Sequence, residues 1–464
     1  MLSDLRSVHF VGICGTAMAS VAAAMKERGY RVTGSDQNVY PPMSDFLASR
    51  GIHPFSGYAE SHLDHRPDLV VIGNAISRGN PEAEAALDRR LRYVSLPELL
   101  KEFFIRGKRS LVVTGTHGKT TTTSLLAWIF EHVGLQPSYL IGGIPANLGQ
   151  GARFTESEWF IIEGDEYDTA FFDKRSKFVH YLPEVVIVNN LEFDHADIFD
   201  NLAAIQTSFR RLAHIVPRNG LLLANGDEPN LEPILQSKHC PIKRFGLGER
   251  NDIRATALKL ESERSSFCLG DARFEIPLTG ELNVRNALAA AACARHCGLA
   301  DRQIQSAFTS FLGVQRRMET RGEAGGVIVI DDFGHHPTAI RETLRALRVR
   351  FPGRRLIAVF EPRSNTTRRN VFQCELVEAL ERADAIVVAE VARLEQLPIE
   401  LRLNPDRLMN DLKLAGKPAA YIPNVEAILD HLEHESKPGD VVCVFSNGGF
   451  GNIHQRLLER LARK

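Results

Sequence analysis

The sequence predicts an α/β protein of three consecutive domains, each a mainly parallel sheet with helices packed on it. Three observations carry this expectation. The chain has 464 residues, and at roughly 150 residues per domain that is enough for three. Apolar runs of strand length alternate with helical patterns along most of it, the rhythm that βαβ units leave in a sequence. That rhythm restarts twice, giving expected domains 1–107, 108–313 and 314–464.

Composition narrows the function classes. Lysine and arginine number 56 against 57 aspartate and glutamate, a net charge of −1, which argues against a nucleic-acid partner. The longest apolar stretches, such as Leu69–Ile72 and residues 185–188, fall far short of the roughly 20 residues of a membrane span. The opening MLSDLRSVHFVGICG lacks the basic region, apolar run and cleavage site of a secretory signal, so a cytoplasmic location is expected. Seven scattered cysteines fit reduced thiols. Cys293 and Cys297 flank His296 in an alanine-rich helical stretch and read as core thiols rather than metal ligands. The sequence sets no oligomeric state.

In the first domain, residues 8–11 read as a strand, 12–15 as a tight turn, 18–29 as a helix closed by glycine, and 30–33 as the next strand, with Leu69–Ile72 following. Gly12 and Gly15 let backbone approach a diphosphate, and Asp36 ends the following strand, which makes the domain Rossmann-like. A nicotinamide dinucleotide would use the same layout, but the spacing is G-x-x-G rather than G-x-G-x-x-G. Shaping a turn is the other role open to both glycines.

The central domain is expected to open after a charged linker at 106–110, with a strand at 111–113 running into GTHGKTTTT and a helix carrying Leu125, Leu126 and Ile129. A strand, a glycine loop with lysine and threonine, and a helix make a phosphate-binding loop, and the domain P-loop ATPase-like. Its glycines turn backbone N–H groups toward phosphate oxygens, Lys119 neutralises β/γ-phosphate charge and Thr120 coordinates Mg²⁺. Only two residues separate Gly115 from Gly118, fewer than the usual four. Glu163 ends the apolar run 160–162, and EGDEYD places four carboxylates within six residues, a density that asks for a cation. NNLEFDHAD follows the apolar run 185–188. There His195 is a candidate second metal ligand, with Asn190 or Asp194 to orient it or bind substrate. Residues 251–277 read as an irregular β-rich insert, and 284–297 as a helix after the turn Thr279-Gly280.

The third domain is expected to be Rossmann-like, with strands at 327–330, Leu356–Phe360, Ala385–Val388 and Val441–Phe445. The loops Arg363-Ser364-Asn365-Thr366 and Ser446-Asn447-Gly448-Gly449 each follow an apolar strand. Arg363 is the best candidate there for a carboxylate or phosphate.

GTHGKTTT, EGDEYD and NNLEFDHAD, in this order, resemble the Mur ligase family, ATP-dependent enzymes that build the peptide of bacterial peptidoglycan on a UDP-muramoyl carrier. The resemblance covers the whole chain and makes the first domain UDP-binding, the second ATP-binding and the third the receiver of the incoming amine. VHFVGICGTAMASVA, GSDQNVYPPMSDFL and VIGNAISRGNPE are similar to the branch that takes UDP-N-acetylmuramate itself. AFFDKRSKFVHY, EPRSNT and SNGGFGNIHQRL are similar to members that use the murein tripeptide L-alanyl-γ-D-glutamyl-meso-diaminopimelate, in peptidoglycan recycling, rather than L-alanine. The L-alanine-adding ligase is the alternative, and it usually has glycine where Cys14 stands.

The resemblance implies a role for each matching residue. Gly115, Thr116, His117, Gly118, Lys119, Thr120 and Thr121 would hold ATP phosphates, with Asn283 and Asn286 toward adenine, Arg317 on the γ-phosphate and Asp332 on the ribose. Thr120 and Glu163 would hold one Mg²⁺ and His195 a second, so Lys119, Glu163 and His195 form the catalytic set. Gly12, Gly15, Thr16, Ser35, Asp36, Asn74, Ser77 and His117 would contact the UDP-sugar, and Arg363 and Asn447 the peptide. Two departures stand out: Leu282 replaces a histidine common before the first asparagine, and 196–210 contains none of the lysines that some relatives carbamylate. The implied reaction phosphorylates the lactyl carboxylate and lets an amine displace phosphate. Lys119, Arg317 and Mg²⁺ offset the charge repulsion, and closure of the third domain excludes water.

Overall fold

The computed structural model describes residues 5–236 and 239–463. Its first sheet has five parallel strands in the order Phe55–Ser56, Arg31–Asp36, Ser7–Val11, Leu69–Ile72, Tyr93–Ser95. The order reverses beside Ser7–Val11, whose turn at 12–15 leads into the helix Thr16–Glu27. This is the crevice that open α/β sheets offer to ligands. The helix buries Met18, Ala19, Val21, Ala22, Ala23, Ala24 and Met25, and small alanines let it lie close to the sheet.

The central sheet has ten strands. Arg109–Thr114 lies between Trp159–Glu163 and Pro183–Val188, parallel to both. The loops after these three strands therefore emerge side by side, although their residues are far apart in sequence. Two sequence expectations change here. The 106–110 linker is shorter than expected, because Arg109 already pairs with Trp159 and its guanidinium covers the Trp159 ring. The 251–277 insert is a regular antiparallel meander of Ile253–Leu260, Ser265–Leu269 and Ala272–Ile276 that extends the same sheet. Its alternation was masked by a register shift between Thr256 and Lys259. The alanine-rich helix Glu281–His296 packs against Lys119–His132 and buries Cys293, while His296 is exposed.

A hairpin, Asp168–Ala170 with Asp173–Ser176, springs from the loop after Trp159–Glu163. Its Phe171 and Phe172 pack against the first domain's apolar cluster around Ile72 and Ile76, and Phe172 meets the Tyr93 ring edge-on at 5.0 Å.

The third sheet runs Glu319–Ala324, Val327–Asp332, Val441–Phe445, Leu356–Phe360, Ala385–Val388, Ala419–Tyr421, parallel except for its first pair. Apolar clusters on both faces bury continuous strands such as Val-Val-Cys-Val-Phe, as expected when helices cover both sides. Among the described residues no helix is long and apolar enough to cross a membrane.

Candidate active site

Where Arg109–Thr114 ends, the backbone turns sharply at Gly115 (φ +130°) and Gly118 (φ +75°) before the helix Lys119–His132 begins. A Cβ at Gly118 would stand 2.4 Å from Asn286 Oδ1, and one at Gly115 3.0 Å from the Asn190 nitrogen. The turn is therefore closed to side chains at both ends, which leaves room for an anion against the start of the helix.

The neighbouring loop braces this turn. Asn190 Oδ1 accepts from the His117 N–H at 2.7 Å, and Thr116 Oγ1 accepts from the Glu192 N–H at 2.8 Å. Asn190 thus orients the phosphate loop rather than His195. Behind Gly118, Thr122 donates to Asn286 Oδ1 at 3.2 Å and accepts from Asn189 at 3.0 Å.

Three carboxylates converge on Lys119. Its ammonium donates to both oxygens of Glu166, at 2.9 and 3.1 Å. Burial opposes the ammonium, but Glu166, Asp165 and Glu163 outweigh it and raise the lysine's pKa. Burial likewise opposes the Glu166 charge, yet Lys119 and His195 bring it down to about 2. Glu163 differs: burial, then Asp165, push it up. Its oxygens accept from Thr120 Oγ1 at 3.0 Å and from the Gly142 N–H at 2.8 Å. Thr120 and Glu163 therefore present adjacent hard oxygen atoms in a buried, acid-rich corner, a donor set that fits Mg²⁺.

His195, the expected second metal ligand, lines the same cavity as Thr120 and Glu163. Its Nε2 bonds Glu166 Oε1 at 2.8 Å and its N–H donates to Asp194 Oδ1 at 2.7 Å, while the Tyr167 ring lies 4.0 Å away. In this geometry the nitrogen expected to ligate metal is engaged by Glu166, because the acidic loop curls back over Lys119.

The C-terminal domain closes the site. Arg317 Nη2 donates to Thr120 Oγ1 at 3.1 Å, Thr366 Oγ1 to Asp194 at 2.6 Å, and Asn365 to Asp197 at 2.7 Å. Asp332 is buried and accepts from the Met318 and Gly334 N–H groups, at 2.8 and 2.7 Å. A ribose there would share an oxygen already in use. Between the two domains lies a cavity of about 780 Å³. It brings together Thr116, His117, Gly118, Lys119, Thr120, Thr121, Glu163, His195, Asn283, Asn286, Arg317, Asp332, Arg363 and Asn447, and Leu282 also lines it. Asn447 Oδ1 is buried without a partner.

The first-domain candidates lie apart, at the C-terminal ends of the central strands of their own sheet. Gly12 (φ +87°) donates its N–H to the Ser35 carbonyl at 2.9 Å, and Gly15, Thr16, Asn74 and Ser77 are exposed around the turn. Ser35 departs from expectation, since its hydroxyl points inward to the fully buried Glu82 at 2.5 Å. Asp36 spends its oxygens on the Cys14 and Asn38 N–H groups, at 2.9 and 3.0 Å. Both residues brace the turn, Ser35 through its carbonyl and Asp36 through its carboxylate.

Sequence reasoning passed over Glu192, His336 and Thr338. His117, Glu192 and His336 bring ligand-type atoms within 4.8 Å of one another, but the hydrogen bonds speak against a metal there. His336 Nδ1 accepts from the Thr338 N–H and Nε2 donates to the Phe193 carbonyl, both at 3.2 Å, so no ring lone pair is free. Glu192 stood within NNLEFDHAD and His336 and Thr338 within residues 331–340, and nothing in either stretch shows that the two meet.

A short glycine loop with its lysine, carboxylates gathered on that lysine, and a separate domain closing over both define an α/β enzyme built to handle a phosphate-bearing ligand. Comparison with known proteins sharpens the class. Residues 7–108 match the Mur ligase family catalytic domain, 113–294 the Mur ligase middle domain, and 316–448 the Mur ligase glutamate ligase domain. The chain is 44% identical over 461 residues, 98% of each sequence, to the UDP-N-acetylmuramate–L-alanyl-γ-D-glutamyl-meso-2,6-diaminoheptandioate ligase of Escherichia coli K12. It is 33% identical over 476 residues, 99% of the chain and 96% of the relative, to the UDP-N-acetylmuramate–L-alanine ligase of Variovorax paradoxus S110. The crystal structure of a murein peptide ligase from Psychrobacter arcticus 273-4 covers 99% of both chains with a TM-score of 0.73 and 36% identity. The chain belongs to the Mur ligase family and, as a member, is an ATP-dependent ligase.

Proposed function

We propose that the chain joins UDP-N-acetylmuramate to the tripeptide L-alanyl-γ-D-glutamyl-meso-diaminopimelate, forming an amide and releasing ADP and phosphate, in peptidoglycan recycling in the cytoplasm. The observation that carries this reading is full-length identity of 44% to a ligase named for that acceptor, against 33% to one named for L-alanine.

In this reading residues 1–107 hold the UDP-sugar at Gly12, Gly15, Thr16, Asn74 and Ser77. Residues 108–313 hold ATP on the 115–121 loop with adenine toward Asn283 and Asn286, and 314–464 receive the peptide. Thr120 and Glu163 would hold Mg²⁺, which supplies charge neutralisation between the triphosphate and the lactyl carboxylate. Lys119 gives its ammonium to the transferring phosphoryl group, and Glu166 keeps that ammonium charged and aimed until the anion arrives. Arg317, carried in by the third domain, adds the second cation. Bonds from Thr366 and Asn365 to the 194–197 segment hold the cavity shut against water while the acyl phosphate awaits its amine. Arg363 and Asn447 face the peptide's charged groups.

The test is ligation with ATP and UDP-N-acetylmuramate, comparing the tripeptide with L-alanine and following phosphate release and product mass. Preference for the tripeptide is expected. Preference for L-alanine would move the chain to the biosynthetic branch.

A further inference from the structure

We infer that Glu192 is a positioning residue whose carboxylate ties the back of the phosphate loop to the C-terminal domain, so that nucleotide binding and domain closure support each other. The inference rests on reading the 115–121 loop as the ATP site.

On the central-domain side Glu192 holds two successive loop residues. Its N–H donates to Thr116 Oγ1 at 2.8 Å, its carbonyl accepts from that hydroxyl at 3.3 Å, and Oε2 lies 3.3 Å from His117 Nε2. On the other side Thr338 Oγ1 donates to the same Oε2 at 2.7 Å. Thr338 lies in the first turn of the helix Pro337–Arg350, whose cap His336 bonds the Phe193 carbonyl and sets its ring, tilted, 4.4 Å from that of His117. One carboxylate oxygen therefore serves groups 221 residues apart in the chain, and burial works against its charge less than His117, His336 and Thr338 work for it.

Position separates this link from the other one between loop and domain. The bond from Arg317 to Thr120 lies inside the cavity, on the hydroxyl proposed for Mg²⁺, so an occupied site displaces it. Neither Glu192 nor Thr338 lines the cavity. Their bond lies behind the loop, clear of the triphosphate, and survives loading. A loop held in its anion-binding shape presents His117 to Glu192, and Glu192 in turn presents its oxygen to Thr338. Linkage then requires that strengthening either contact strengthens the other.

The experiment uses the full chain with a nonhydrolysable ATP analogue, measuring its Kd by calorimetry and compaction by small-angle X-ray scattering. Thr338→Val keeps shape and touches no part of the loop. A hydrogen bond to a charged group contributes roughly tenfold or more in an equilibrium. Thr338→Val is therefore expected to weaken analogue binding about tenfold and to reduce compaction at equal occupancy. Thr338→Ser restores both within about twofold, and Thr338→Val combined with Glu192→Ala is no worse than Glu192→Ala alone. Wild-type affinity and compaction in Thr338→Val, or losses that multiply in the double variant, would overturn the inference. So would failure of the wild type to bind the analogue. Neither readout involves the acceptor. A wild type that binds and compacts but forms no amide with the tripeptide therefore counts against the proposed substrate and leaves this inference standing.

Discussion

Replacing Gly118 with alanine tests the phosphate loop most directly. The residue has φ +75°, and the new methyl would lie 2.4 Å from Asn286 Oδ1. Left-handed backbone costs a non-glycine residue about 1–2 kcal/mol. Relieving the clash turns Asn286 away from Thr122, a buried bond of 3.2 Å that contributes about 0.5–1.5 kcal/mol. Together these amount to about 1.5–3.5 kcal/mol, or roughly ten- to three-hundredfold in ATP affinity if the loop relaxes into another shape. Calorimetric titration with an ATP analogue reads the effect. Gly134→Ala is the control: its φ is +83° but nothing lies within 4 Å of its Cβ, so nucleotide affinity should stay at the wild-type value. If Gly118→Ala binds the analogue within threefold of wild type, the close approach described here is not what shapes the loop.

Lys119→Met is expected to abolish amide formation and to destabilise the folded chain, because the buried Glu166 keeps only His195 as a partner. Breaking a buried pair costs about 3–5 kcal/mol. Adding Glu166→Gln should restore the thermal midpoint but not activity, and a double variant as unstable as Lys119→Met would contradict the pairing. His336 gives a pH dependence. Burial, then the neighbouring His117, hold its pKa at about 3, against the opposing pull of Asp194, Glu192 and the Phe193 carbonyl. The folded chain therefore binds fewer protons than the unfolded one below the ordinary histidine pKa of about 6.5. Its stability is complete above that pH and falls by up to about 1.4 kcal/mol per pH unit as the pH drops toward 3. Thermal midpoints of His336→Asn, which can still cap the helix, should fall less than wild type between pH 7 and pH 5, and parallel curves would refute the assignment.

The parts of this site that lie in one stretch of chain were legible in the sequence. Gly115, Gly118, Lys119 and Thr120 are contiguous, and strand, turn and helix there follow from local chemistry. Glu163 was legible because a strand end fixes where it projects. Glu166 lay in the same acidic string, but its pairing with both Lys119 and His195 depends on how the loop curls back, which no spacing encodes. Glu192 and Thr338 sit 146 residues apart and meet only because two domains close. Ser35 was placed at the UDP-sugar by the resemblance alone, and the bond from its hydroxyl to the buried Glu82 could not be read from the sequence. The 251–277 meander was blurred by its register shift.

The hairpin tip at Phe171 and Phe172 bears on how this protein can be cut. A fragment beginning at the central sheet would carry two bare aromatic rings into water, and a fragment ending before it would uncover Tyr93 and Ile76. Each piece acquires an adhesive apolar face, so expressing the ATP-handling part by itself invites precipitation. Trimming the rings to polar residues, or co-producing both pieces, is the practical remedy.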